Sequence, residues 1–231
     1  MKNSLFVSES FYSIQGEGQT MGIPAIFLRL AGCNLLCKSK SWVCDSIEVW
    51  QKGFKTDFDQ VLTPEWVKRL KEGAHLIFTG GEPTLHQKKI IQYLDWFIEE
   101  YGFKPILEIE TNGTKLIDPK LFEMLDYINC SPKLSNSGED KIRRFNELSL
   151  EQISKHKKAI FKFVIHKKKD IEELLMDFGC IDMNKVVLMP AGEDVDKLND
   201  VRLFVVEKCL QMGWRFSDRL QVVIWNKATG V

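Results

Sequence analysis

Three cysteines crowd into residues 33 to 44, in the segment AGCNLLCKSKSWVCDS, where three and then six residues separate Cys33, Cys37 and Cys44. Three thiolates can bind three irons of a 4Fe-4S cluster and leave the fourth iron open to a cofactor or substrate. A structural zinc site wants four protein ligands with closer spacing inside each pair, and neither His75 nor His86 stands at the usual distance for a fourth. Idle cysteines fit less well, because Lys38, Ser39, Lys40 and Ser41 describe an exposed loop where an unused thiol is a liability. The remaining cysteines, Cys130, Cys180 and Cys209, read as small buried side chains. A second segment with chemical potential is TGGEP at residues 79 to 83, directly after the apolar run HLIF. Two glycines let a backbone approach a ligand, a carboxylate can accept from an ammonium group, and proline stiffens the turn. Taken alone, the same residues make an ordinary turn.

These segments need elements to hold them. Apolar and β-branched runs predict strands at 24–30, 75–79, 105–111, 127–131, 160–166, 185–190 and 220–225, after an irregular start. Helices are expected near 64–72, with Thr63 as N-cap and Pro64 at the first helical position, and over 87–100, where Ile90, Leu94 and Phe97 share a face. Further helices are expected near 118–126, 149–157, 170–178 and 194–212. Strands followed by crossover helices imply a mainly parallel sheet, doubly wound or a full or partial barrel, with ligands at the carboxyl ends of the strands. Cys33, GGEP, Asn112-Gly113 and Pro132-Lys133 each follow a predicted strand, as one shared site would require, although such loops are commonly polar in any case.

Composition narrows the class. At 231 residues and 44% apolar, the chain can bury one substantial core, and no linker or repeat divides it, so one domain over 1–231 is expected. Lys plus Arg equals Asp plus Glu at 32 each. No basic field exists to hold a nucleic acid, and the run HKKK at 166–169 lacks interleaved aromatics, so it reads as a solvated loop. The start lacks a signal-peptide pattern, and no run approaches the ~20 apolar residues of a membrane span. The expectation is a cytoplasmic protein with reduced thiols and a small-molecule substrate.

With these residues in view, the chain resembles the radical S-adenosylmethionine (SAM) superfamily. Its hallmark Cys-x3-Cys-x2-Cys is present with four extra residues, roughly KSKS, before the last cysteine; Val43 stands where the superfamily usually has an aromatic, and Trp42 lies one earlier. Extra residues can bulge into solvent at little cost, since closure entropy grows only logarithmically with length. FYSIQGEG, Arg29 in IFLRLAGC, CDS at 44–46 and RLQVVIWNKATGV resemble the 7-carboxy-7-deazaguanine synthases more narrowly. The resemblance implies an α/β fold, a partial or modified (βα) barrel with a mainly parallel sheet. It implies conversion of 6-carboxy-5,6,7,8-tetrahydropterin to 7-carboxy-7-deazaguanine with loss of ammonia, and no side-chain acid or base at the centre of the chemistry.

The implied cofactors are a 4Fe-4S cluster on Cys33, Cys37 and Cys44, SAM, and Mg2+ at Ser46. SAM would meet Val43, Asp45, Gly80, Gly81, Glu82, Asn112, Ser131, Pro132 and Lys133. The pterin would meet Ile14, Gln15, Gly16, Glu17, Arg29, Thr79 and the α-carboxylate of Val231. The residue types suit this. Arg29 offers a charged fork to a carboxylate, and Gln15 and Glu17 can match donors and acceptors on a pterin edge. An electron donor such as flavodoxin or ferredoxin and a homodimer are implied as partners. Another small radical SAM enzyme, such as a glycyl-radical activase, and a non-enzymatic zinc module stay open at this point.

Overall fold

Alternation along the strand segments builds a sheet with two unlike faces in the computed structural model, which describes residues 3–39 and 43–226. The chain opens with β1 (Ser4–Ile14) and β2 (Pro24–Leu30), then α1 (Ile47–Trp50), β3 (Phe54–Asp57) and α2 (Pro64–Lys71). Strands and helices follow in turn: β4 (His75–Gly80), α3 (Gln87–Tyr101), β5 (Ile106–Thr111), α4 (Pro119–Met124), β6 (Tyr127–Cys130), α5 (Lys141–Arg144) and α6 (Glu147–Ser154). The last part holds β7 (Ala159–Ile165), α7 (Lys168–Asp177), β8 (Val186–Pro190), α8 (Val195–Met212), β9 (Arg215–Phe216) and α9 (Leu220–Trp225). The sheet order is β3-β1-β2-β4-β5-β6-β7-β8-β9. β1 runs antiparallel to β2 and β3, and every pairing from β2 to β9 is parallel. The end strands do not pair with each other, so the α/β architecture is a partial barrel, as expected.

Register then decides what each face carries. Ile26, Leu28, Leu76, Phe78, Leu107, Ile109, Ile128, Phe161, Phe163 and Leu188 point to the helix side and are fully buried there with Ile90, Tyr93, Leu94 and Phe97 of α3. Each such side chain contributes about 1.5–3 kcal/mol by leaving water, so this layer carries most of the fold's stabilisation. The residues between them, Arg29, Thr79, Glu108, Glu110, Asn129 and Lys162, point to the other face, the concave one. Helix ends obey local chemistry. Thr63 Oγ1 accepts from Trp66 N at 3.3 Å, with Pro64 opening α2. α3 stops at Gly102, whose φ of 73° places it in the left-handed region that only glycine adopts cheaply.

Three expectations change. The start is not irregular: β1 is an eleven-residue strand whose alternation is hidden by serines and by a bulge between Val7 and Glu9. The short β3 and β9, and the single-turn α1 and α5, carry too few residues to leave a period. The segment 220–225 is helix α9, not a strand. Its β-branched residues favour a strand, but Leu220 N donates to Gly16 O at 2.9 Å and only Val222 is buried, so a helical turn against the concave face wins over local propensity. No helix among the described residues is long and apolar enough to cross a membrane.

Candidate active site

The carboxyl ends of the parallel strands and the loops after them enclose a cavity of about 470 Å³, well inside the usual range of small-molecule sites. Ile14, Gln15, Gly16, Glu17, Arg29, Cys33, Cys37, Val43, Cys44, Asp45, Ser46, Thr79, Gly80, Gly81, Asn112, Ser131 and Lys133 all line it. Glu82 and Pro132 do not line it, and Val231 lies outside the described residues.

The cysteine loop starts where β2 ends, and Gly32 turns the chain with a φ of 87°. Cys44 N donates to Cys37 O at 3.0 Å, and Lys38 forms an antiparallel bridge with Val43. A hairpin therefore brings the second and third cysteines side by side despite the six residues between them. Lys38 and Ser39 do not simply bulge into solvent: Ser39 Oγ donates to Asn136 O at 2.6 Å, and Gly138 leaves room for Lys38 O, which a Cβ there would overlap. Lys40, Ser41 and Trp42 lie outside the described residues.

Burial pushes the Cys33 thiol up to about 11, with Glu82, Cys37 and Cys44 adding to the rise, and burial also raises Cys37. Thiols in such a place stay protonated unless metal supplies positive charge. Among the described residues no three His, Cys, Asp or Glu side chains converge closely enough to share one metal ion. A 4Fe-4S cluster asks for something else, each thiolate on its own iron, and three thiols around one end of a cavity fit that demand.

GGEP has a more structural part than its sequence suggests. Gly80, with a φ of 141°, lies so close to β2 that a Cβ would overlap Leu30 O. A Cβ on Gly81 would overlap Gly32 O and stand 2.7 Å from Cys33 Cβ. The glycines seat this loop against the cysteine loop. Glu82 is fully buried and accepts from Thr84 N at 2.9 Å, Thr84 Oγ1 at 2.6 Å, Thr111 Oγ1 at 2.7 Å and Asn112 N at 2.7 Å. Its carboxylate thus ties two loops together. We expect Gly81→Ala to displace the cysteine loop and lower the iron bound per chain at least severalfold; unchanged iron content would show that the loop can yield.

The concave face holds charges that sequence reading missed. Glu110 accepts from Thr79 Oγ1 at 2.7 Å and from Gln15 Nε2 at 3.0 Å. Gln15 also donates to Glu108 Oε1 at 3.0 Å and accepts from Glu17 N at 3.1 Å, so its amide is committed to positioning neighbours. Arg29 donates through Nε to Glu9 at 2.8 Å and through Nη1 to Ser46 Oγ at 3.3 Å; its Nη2 has no protein partner among the described residues. Lys162, Arg219 and Gln221 all donate to Glu17. Burial alone would raise the Glu17 carboxyl, but Lys162 and Arg219 outweigh it and hold the group far below the usual carboxylate range. Arg219 also pairs with Asp45, whose carboxyl it holds down against burial. The signal for these residues was present: Glu108, Glu110 and Lys162 are charges at alternate positions in otherwise apolar strands.

Comparison with known proteins fits this geometry. A family described as a 4Fe-4S single cluster domain matches residues 14–155. A 7-carboxy-7-deazaguanine synthase from Pyrobaculum aerophilum is 31% identical, covering 97% of this chain and 96% of its own length. One from Halobacterium salinarum is 32% identical, covering 97% and 92%. The chain belongs to the 7-carboxy-7-deazaguanine synthase family. The crystal structure of QueE from Escherichia coli superposes with a TM-score of 0.68 at 25% identity over 94% of each chain. As a 7-carboxy-7-deazaguanine synthase family member, the chain is a radical SAM enzyme with a 4Fe-4S cluster and SAM as cofactors.

Proposed function

We propose that this enzyme, as one radical SAM domain, converts 6-carboxy-5,6,7,8-tetrahydropterin to 7-carboxy-7-deazaguanine with release of ammonia, in 7-deazapurine biosynthesis of the queuosine type. The observation that carries the reading is a single cavity with three thiols at one end and the charged set Arg29, Glu17 and Glu110 on its walls. When bound, the cluster and SAM supply the hydrogen-abstracting radical chemistry. The chain's own residues bind, orient and shield. Cys33, Cys37 and Cys44 would hold the cluster. The backbone of Gly80 and Gly81, with Val43, Asp45, Asn112, Ser131 and Lys133, would line the SAM side.

On the substrate side, Arg29 Nη2 would take the substrate carboxylate, while the ionised Glu17 accepts from ring N–H groups. Ile14 and Gly16 would flank the ring, and Thr79 acts through Glu110. Ser46 Oγ, which donates to Asp45 Oδ1 at 2.9 Å, would turn to a Mg2+ that also meets the substrate. An electron donor of the flavodoxin or ferredoxin class and a homodimeric state complete the reading, and the free cysteines suit a reducing, cytoplasmic setting.

The test is anaerobic incubation of cluster-loaded protein with SAM, dithionite and the carboxy-tetrahydropterin, followed by mass analysis. The expected products are 7-carboxy-7-deazaguanine and ammonia; SAM cleavage with no deazapurine would overturn the substrate assignment. Arg29→Ala is expected to raise the substrate KM by about ten- to a hundredfold, the worth of one charge-assisted bond to a buried group, while SAM cleavage without substrate persists. An unchanged KM removes Arg29 from the substrate.

A further inference from the structure

Lys162 stands on β7 between Phe161 and Phe163, which both bury themselves on the helix side. Its own side chain is on the concave face, 6% exposed, and lines the cavity. The ammonium meets Glu17 Oε2. The other oxygen, Oε1, accepts from Arg219 Nε at 3.1 Å and from Gln221 Nε2 at 2.6 Å. A carboxylate offers about four acceptor positions. With three donors in place, about one position is left on a group that lines the cavity. Glu110 also faces Lys162, and Asp45 shares Arg219 with Glu17, so the neighbouring charges alternate around the cavity wall.

A buried ion pair adds little net stability over apolar side chains of the same size, because desolvation offsets the attraction. The clear physical consequence of this pair is orientation. We propose that Lys162 is a positioning residue for substrate recognition: together with Arg219 and Gln221 it fixes the Glu17 carboxylate so that the remaining acceptor position takes an N–H of the substrate ring. The inference rests on the pterin reading of the cavity. It gives Lys162 no contact of its own with the substrate, so its whole effect passes through Glu17.

A double-mutant cycle on cluster-loaded enzyme tests this, with Lys162→Met, Glu17→Gln and the double variant assayed anaerobically for deazapurine formation. Lys162→Met is expected to raise the pterin KM about tenfold, the worth of one disordered charge-assisted contact, with kcat and substrate-free SAM cleavage little changed. In the Glu17→Gln background the same change should add almost nothing. An unchanged KM, or effects that multiply across the two sites, would overturn the positioning role; multiplication would mean that Lys162 acts on its own. Should Lys162→Met lose its fold, as judged by melting, Lys162→Ala, which also removes the donor to Glu17 but leaves room for water beside it, carries the same comparison. If the wild type fails to turn the pterin over, the substrate reading falls; if it succeeds and the cycle shows no coupling, only the role of Lys162 does.

Discussion

Cys33→Ala is expected to abolish turnover and SAM cleavage together, with bound iron and sulfide falling to a small fraction of the wild-type content. The reason lies in what surrounds the position. Cys33 stands directly after the turn at Gly32, Leu35 N donates to its sulfur at 3.4 Å, and the GGEP loop is seated on its Cβ. That places one thiol rigidly beside Cys37 and Cys44, and a cluster held by two thiolates loses a third of its protein ligation. No substitute is at hand: Cys130, Cys180 and Cys209 do not line the cavity where Cys33, Cys37 and Cys44 stand. Cys180→Ser and Cys209→Ala serve as controls and should keep the full cluster. The measurements are iron and sulfide per chain, the visible absorption band of the cluster, and 5'-deoxyadenosine formed with dithionite. A Cys33→Ala protein that melts normally, stays brown and cleaves SAM would remove this cysteine from the cluster.

How much of this was legible beforehand differs by layer. The central strands were readable because a parallel strand covered on one face by helices presents a strongly apolar run, and β2 begins and ends as expected at Pro24 and Leu30. The same apolarity hid the concave face. LEIE in β5 reads as a buried strand with two stray charges until register shows Glu108 and Glu110 side by side with Asn129 and Thr79, away from the helices. Lys162 was lost for the same reason. Arg219 and Gln221 were inside a segment quoted for its likeness to the family, but taking 220–225 as a strand gave no cause to aim them at Glu17. Only the tertiary anchor at Gly16 turns that segment into a helix. The cysteines and GGEP were legible as a pair, yet their spacing carried no information on which atoms face a ligand. In the structure Glu82 and Gln15 also hold their neighbours in place through hydrogen bonds within the protein, a part that spacing could not announce.

The bonds of Glu82 give the second large effect. Glu82→Ala is expected to destabilise the fold by about 3–5 kcal/mol, because four donors lose one buried carboxylate at once. The hydroxyls of Thr84 and Thr111 can rotate toward other acceptors. The backbone N–H groups of Thr84 and Asn112 cannot, and each orphaned buried donor costs about 1–3 kcal/mol. For a chain of this size, such a loss lowers the melting temperature by roughly 10 °C. Cluster content should fall in parallel, since Glu82 N donates to Gly32 O at 2.9 Å and Asn112 Nδ2 reaches Asn34 Oδ1 at 3.1 Å, which ties both loops to the cysteine segment. A direct role in gripping the SAM amino group makes the opposite demand. On that view Glu82→Gln, which keeps volume and one acceptor oxygen, would weaken SAM binding with the melting temperature and iron content unchanged. Melting curves, iron per chain and SAM binding measured on both variants separate the two. Our expectation is that stability and iron move first in both, with the larger change in Glu82→Ala; a Glu82→Gln protein that melts as the wild type and fails only in SAM affinity would return the carboxylate to the cofactor.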